Sequence, residues 1–239
     1  MTEEYFKRWA LGFSGCDGGD IGSPENPSAW LCGIEWGKGF NEDELENILK
    51  NNDESIPKGY KNNEENLAYQ FNQKALKLLA SLNGYADILK FNEEVKPFVI
   101  NSKGYFKLNL YPLAFKNTDF ALWNKQLSIA TGFKTKNEYI QWIQENRFKE
   151  MRKRVKIYKP KLIICVGISY KDDFIKAFGD DNVDIKQSEA GGKKFYYFKN
   201  KDGTLVVITY FLGNRFGLSS DLMLKETGKE IVRLLKFTL

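Results

Sequence analysis

Three features of the sequence predict a three-layer α/β sandwich around a central, mainly parallel sheet. Residues 161–167, KLIICVG, are a continuous apolar run, the mark of a strand buried on both faces of a parallel sheet. Strand-like and helix-like segments alternate along the chain, the order that lays helices against both faces of one sheet. Several strand-like segments run into glycine or proline, the residues of sharp turns at a sheet's edge.

From the N-terminus, residues 12–28 are rich in Gly, Asp, Ser and Pro and predict an irregular lead-in loop. Ala29 to Cys32 is a short apolar strand that feeds Gly33, a carboxylate at Glu35, then Trp36, Gly37 and Gly39. Glycine at such a strand end lets a ligand approach the backbone closely. Residues 38–66 form a polar insertion with one short helix over 42–50. In residues 65–85, Leu67, Phe71, Ala75, Leu78, Leu79 and Leu82 recur at helical spacing, with Gly84 as the stop.

Residues 104–115, GYFKLNLYPLAF, alternate through Phe106, Leu108 and Leu110 and reach Pro112, so they read as a strand entering a loop. A helix is expected over 118–131. A longer one runs from the cap Thr135 to the residues before Pro160. Its basic stretch 147–156, RFKEMRKRVK, reads as a solvated face. After KLIICVG come a helix over 169–179, two strands around the Asp202-Gly203 turn, and an amphipathic helix over 219–236. The 239 residues, 42% of them hydrophobic, suit a single domain spanning 1–239. In such sheets ligands bind at the carboxyl ends of the strands, and Glu35, Asn109, Gly167 and the segment after Tyr210 all fall there.

The chain contains no histidine, which excludes Ser-His-Asp and Cys-His nucleophile systems and any His-ligated metal. Cys16, Cys32 and Cys165 lack metal-ligand spacing, and three thiols cannot build a four-thiolate cluster. No metal and no organic cofactor is implied. A net charge of +5 is compatible with a polyanionic partner. No apolar stretch is long enough to span a membrane and the first residues lack a signal-peptide profile, so no membrane partner and a cytoplasmic location are expected.

Read in order, the motifs GIEWG (33–37), AYQFNQKALKLL (68–79), YFKLNLYPLAF (105–115) and YKPKLIICVGIS (158–169) give the chain a resemblance to the uracil-DNA glycosylase superfamily. The match runs from about Ala29 to the C-terminus and leaves the insertion uncovered. The Asn-x-x-Pro-Leu form of the third motif is most similar to the single-strand-selective monofunctional branch. The resemblance implies a glycosylase-like fold and a monofunctional DNA glycosylase, acting as a monomer on single- or double-stranded DNA. Uracil or a modified base would be flipped out and hydrolysed from its sugar.

It also implies roles for single residues. Glu35 would stabilise the cationic sugar and activate water, by the logic of glycoside hydrolysis; a cap on the following turn or an ion pair is the structural alternative. Asn109 would read the base edge through two hydrogen bonds; an Asn bonding its own turn backbone is the structural alternative. Gly33 and Ile34 would contact the base. Phe71 would stack on it, although its spacing with Ala75 and Leu78 suits a core position equally. Trp36 and Tyr111 would line the pocket. The loop with Tyr210, Phe211, Gly213, Asn214, Arg215 and Phe216 would hold the DNA and fill the gap left by the flipped nucleotide.

The sequence departs from the family pattern in two places. Trp36 replaces a proline and Glu35 replaces Asp or Asn; and where a His-Pro-Ser loop belongs, Tyr210 or Phe211 stands instead of histidine. The insertion and the flat surfaces of Trp36 and Tyr111 favour a bulky base, of the kind found in bacteriophage DNA, over uracil. Base excision in repair or in phage defence would then be the setting. A catalytically silent DNA-binding or inhibitory protein, or a nucleoside- or nucleotide-processing α/β enzyme, are the other readings of the same residues.

Overall fold

A computed structural model describes residues 3–35, 37, 39, 55–213 and 215–237. Seven strands, β1 (Cys16–Gly19), β2 (Ala29–Gly33), β3 (Tyr105–Asn109), β4 (Leu162–Val166), β5 (Lys186–Ala190), β6 (Lys193–Lys199) and β7 (Leu205–Thr209), form one sheet in the order β1-β3-β2-β4-β7-β6-β5. The central pairs β3–β2, β2–β4 and β4–β7 are parallel, whereas β1 and the β5–β6 hairpin join antiparallel. The protein is thus an α/β fold with a mixed sheet.

Every residue of β2, β3, β4 and β7 is buried, as the run KLIICVG predicts for that segment. Successive side chains of a strand point to opposite faces, so Trp30 and Cys32 enter one apolar cluster while Ala29 and Leu31 enter the other. The first cluster is closed by α1 (Glu3–Leu11), the second by α3 (Gln70–Leu82), which follows the short α2 (Asn63–Leu67), and by α4 (Ile88–Val95). Helices α5 (Lys125–Thr131), α6 (Lys136–Trp142), α7 (Phe148–Tyr158) and α8 (Lys171–Phe178) cover the first face, and α9 (Asp221–Phe237) the second.

The sequence misplaces several elements. The helical periodicity of 65–85 is broken at Tyr69, whose extended backbone (φ −96°, ψ 121°) starts α3 afresh at Gln70. The helix expected over 118–131 is a 3-10 turn, Phe120–Leu122, followed by α5, which Asn124 caps and left-handed Gly132 ends. Thr135 caps α6 as expected, accepting from the Glu138 amide, but a π turn at Ile143–Arg147 separates α6 from α7. The first turn of the basic stretch is not solvated: Arg147 is fully buried. Its guanidinium donates to the carbonyls of Ser14 (2.6 Å), Leu110 (2.9 Å) and Asn109 (3.3 Å), and burial lowers its pKa to about 10, so it remains charged at neutral pH. Helices α1 and α4 and strand β5 escape the sequence patterns, and the helix expected over 42–50 lies outside the described residues.

The lead-in loop also needs correction, because residues 16–19 form the edge strand β1. Its register against β3 slips between Cys16 and Gly18, which makes Asp17 the extra residue of a β-bulge. Bulges re-aim a side chain. Gly18 (φ 101°) permits the bulge, since a Cβ there would sit 2.3 Å from the carbonyl oxygen of Pro57. Asp20 accepts from the amides of Gly104 and Gly22, closing the loop onto the start of β3.

Candidate functional site

A cleft of about 1310 Å³ opens at the carboxyl edge of the parallel strands, above the typical 300–1,000 Å³ of small-molecule sites. Gly33 ends β2, Asn109 ends β3, Gly167 follows β4 and Tyr210 follows β7, and all four line it. Three more walls come from the start of α3 (Tyr69, Gln70, Phe71), from residues 114–118, and from Phe211, Phe216 and Gly217.

Gly33 and Asn109 are register partners, and a Cβ on Gly33 would lie 2.3 Å from Asn109 Oδ1. The glycine therefore makes room for the amide. Asn109 is 4% exposed and donates from Nδ2 to the carbonyl of Gly15 at 3.0 Å. One of its two N–H groups is thereby committed to backbone; the other and the carbonyl oxygen remain for a ligand. Arg147 fixes both ends of this arrangement, since it binds the Ser14 and Asn109 carbonyls on either side.

Past Gly33, the β2–β3 ladder continues through the Leu110 amide to Gly33 and the Tyr111 amide to Ile34. Ile34 packs into the space that Gly167 leaves open, 2.4 Å from where a Cβ would stand. Glu35 follows on the cleft wall. Its Oε1 is buried with no hydrogen-bond partner. Desolvation raises its pKa to about 7, opposed by the charge of Lys136. Lys136 itself is held against the Phe115 ring, 3.9 Å from its centre, and donates to the Asp119 carbonyl. Glu35 is thus a half-ionised carboxyl at neutral pH, able to take or give a proton.

Phe71 projects into the cleft from the first turn of α3, half-buried, with the Phe211 ring 5.6 Å away at 41°. Phe216 is 74% exposed, and Arg215 lies over its ring at 5.6 Å. Gly213 and Arg215 are not on the cleft wall; Gly213 (φ 93°) packs against Lys74, and its loop is closed by the 212–218 bridge. Tyr111 does not line the cleft. It is 2% exposed and sits in the core beneath the cleft, donating to Asp173 Oδ2 at 2.8 Å, because its side chain falls on the sheet face packed by Tyr139 and Phe148. Trp36 and Asn214 lie outside the described residues.

Among the cleft residues that the sequence did not reveal, Asp17, Lys107 and Tyr60 form one cluster. The bulge delivers Asp17 to the wall, where its Oδ2 pairs with Lys107 Nζ at 3.2 Å and its Oδ1 accepts from the Tyr60 hydroxyl at 2.8 Å. Lys107 was legible in principle. Phe106, Leu108 and Leu110 alternate, so Lys107 and Asn109 must share the other face of a strand buried on both sides. Two polar side chains on a buried face signal a site. Tyr60 belongs to the insertion, so both ends of the insertion, through Gly39 and Tyr60, line the cleft.

Among the described residues no three His, Cys, Asp or Glu side chains gather in a way that could hold a metal ion, and no helix is long and apolar enough to cross a membrane. No protein-family model matches the chain, and no curated protein matches it.

Proposed function

We propose that the chain is a DNA glycosylase of the uracil-DNA glycosylase type, hydrolysing the bond between a base and its deoxyribose. One observation carries the reading. A desolvated carboxyl, Glu35, with its Oε1 buried and unpaired, stands on the same cleft wall as a buried amide, Asn109, and an aromatic face, Phe71, all at the carboxyl edge of the parallel strands. N-glycoside cleavage needs those three groups: a carboxylate beside the cationic sugar carbon, a donor and acceptor for the base edge, and a flat apolar surface for the base.

In this mechanism the base stacks against Phe71 and its edge meets Asn109. The C1′–N bond breaks with its electron pair leaving on the base. Ionised Glu35 stabilises the positive sugar and takes a proton from the water that adds to C1′. That proton then returns to the departing base or to solvent. The Phe211–Phe216 segment, with Arg215, faces the flanking DNA. The wide cleft and the insertion's contribution to its wall support a bulky modified base, as in bacteriophage DNA, as a better substrate than uracil.

The absence of histidine favours a second reading, a DNA-binding protein without turnover, because no imidazole is present to donate to the departing base. Scoring abasic sites across oligomers with uracil, deaminated and hypermodified bases separates the two. Release of free base from DNA supports the glycosylase; tight binding without release supports the silent protein. Release from a mononucleoside alone points to a nucleoside-processing enzyme.

A further inference from the structure

Base hydrolysis leaves one cluster of the cleft unused. Lys107 Nζ lies 3.2 Å from Asp17 Oδ2, 3.1 Å from the Tyr60 hydroxyl and 2.7 Å from Asn72 Oδ1. The rings of Phe71 and Tyr60 stand 5.1 and 5.5 Å from the same nitrogen. Burial among these groups holds the ammonium below the ordinary lysine range, with Asp17 opposing the shift. A desolvated lysine surrenders its proton more readily than an exposed one, and the free amine attacks carbonyl carbon. The neighbours supply the rest of that chemistry: a carboxylate to receive the proton and a phenol to protonate a leaving hydroxyl. Lys116, the other lysine on the wall among the described residues, is solvent-exposed.

We infer that Lys107 is the nucleophile of an imine-forming lyase subsite, whose substrate is the ring-opened C1′ aldehyde of an abasic deoxyribose in DNA. The inference takes its DNA substrate from the glycosylase reading and adds a second step to hydrolysis, beyond the monofunctional action that the resemblance implies. Lys107 and Asn109 are two residues apart on one face of β3, about 7 Å along the strand. That spacing brings the amine close to the sugar carbon of a nucleotide whose base meets Asn109.

The step balances without an oxidant or reductant. Asp17 takes a proton from the Lys107 ammonium, and the amine adds to the C1′ aldehyde to give a carbinolamine. Tyr60 protonates the carbinolamine hydroxyl, which leaves as water, and Tyr60 regains its proton from Asp17 across their 2.8 Å hydrogen bond. In total, two ammonium protons and the aldehyde oxygen depart as water, leaving the iminium. Asp17 then removes a C2′ proton. The electron pair forms the C2′–C3′ double bond and the 3′ phosphate leaves with the C3′–O pair. Water hydrolyses the imine and frees Lys107.

The test uses an oligomer whose abasic site is made beforehand by other means, incubated with the full chain and sodium borohydride. The expected result is a covalent protein–DNA adduct that maps, by mass spectrometry of the wild-type digest, to the peptide holding Lys107. Lys107→Arg keeps the cation but cannot form an imine, and should reduce trapping to background. Asp17→Asn should slow it about a hundredfold. An adduct mapping to another amine, unchanged trapping in Lys107→Arg, or no adduct at all overturns the inference; a purely structural ion pair gives the last result. The wild-type map needs no variant to fold. Because the abasic site is supplied, lack of an adduct leaves base release intact, and lack of base release with an adduct overturns hydrolysis alone.

Discussion

Glu35→Gln separates the two consequences of a desolvated carboxyl, because it should stabilise the protein while disabling it. The folded-state pKa of about 7 exceeds the ordinary 4.5, so the folded protein holds a proton that the unfolded chain has released between those values. Stability conferred by the neutral form is therefore complete below pH 4.5, falls as pH rises to 7, and is flat above it. The full shift corresponds to about 3 kcal/mol, and partial solvent exposure reduces this to about 2 kcal/mol. Gln carries no such penalty. Urea unfolding of wild type and Glu35→Gln should give matching midpoints at pH 4.5. At pH 8 the variant should be more stable by about 2 kcal/mol, near one molar in midpoint for a domain with a urea m-value of 2–3 kcal/mol/M. An offset that is the same at both pH values would refute the desolvated carboxyl. The same titration governs turnover: if ionised Glu35 activates water, kcat should rise about fivefold to tenfold from pH 6 to 8 and then level off.

Three further outcomes follow from the geometry. Gly18→Ala should destabilise the fold by about 2 kcal/mol or more, since its Cβ would meet the Pro57 carbonyl at 2.3 Å in a left-handed backbone; an unchanged thermal midpoint would contradict the bulge. Affinity for DNA should fall with salt, with a log–log slope of about −0.7 to −0.9 per phosphate contacted, and an affinity that does not change between low and moderate salt would contradict the DNA reading. Arg215→Ala should weaken capture of duplex more than of single strands; equal weakening would remove the wedge role of the 210–216 loop.

The central strands were readable because burial on both faces leaves a plain signature, and KLIICVG and the Phe106–Leu110 alternation became β4 and β3. What escaped was set by partners distant in sequence. Asp17 looked like loop because the bulge that aims it depends on Pro57 and on Lys107, forty and ninety residues away. Arg147 looked like a solvated base because only the folded chain brings the carbonyls of Ser14, Asn109 and Leu110 around it. Tyr111 was placed in the pocket by its nearness to Asn109 in sequence, but its side chain turns to the other face of the sheet. Phe71, open between core and cleft on spacing alone, does both: it touches the second apolar cluster and lines the wall.

The central claim is that Glu35 and its cleft release a base from DNA, and the most direct measurement is base release under single-turnover conditions. Wild type and Glu35→Gln would be compared on oligomers carrying uracil, deaminated bases and hypermodified phage bases, with binding measured in parallel. Wild type should release base from at least one of these substrates, fastest from a bulky modified base. In Glu35→Gln release should slow about a hundredfold or more, equivalent to some 2.7 kcal/mol, while DNA binding is retained. Base release by Glu35→Gln at the wild-type rate, or DNA bound by wild type with every base left in place, would contradict it.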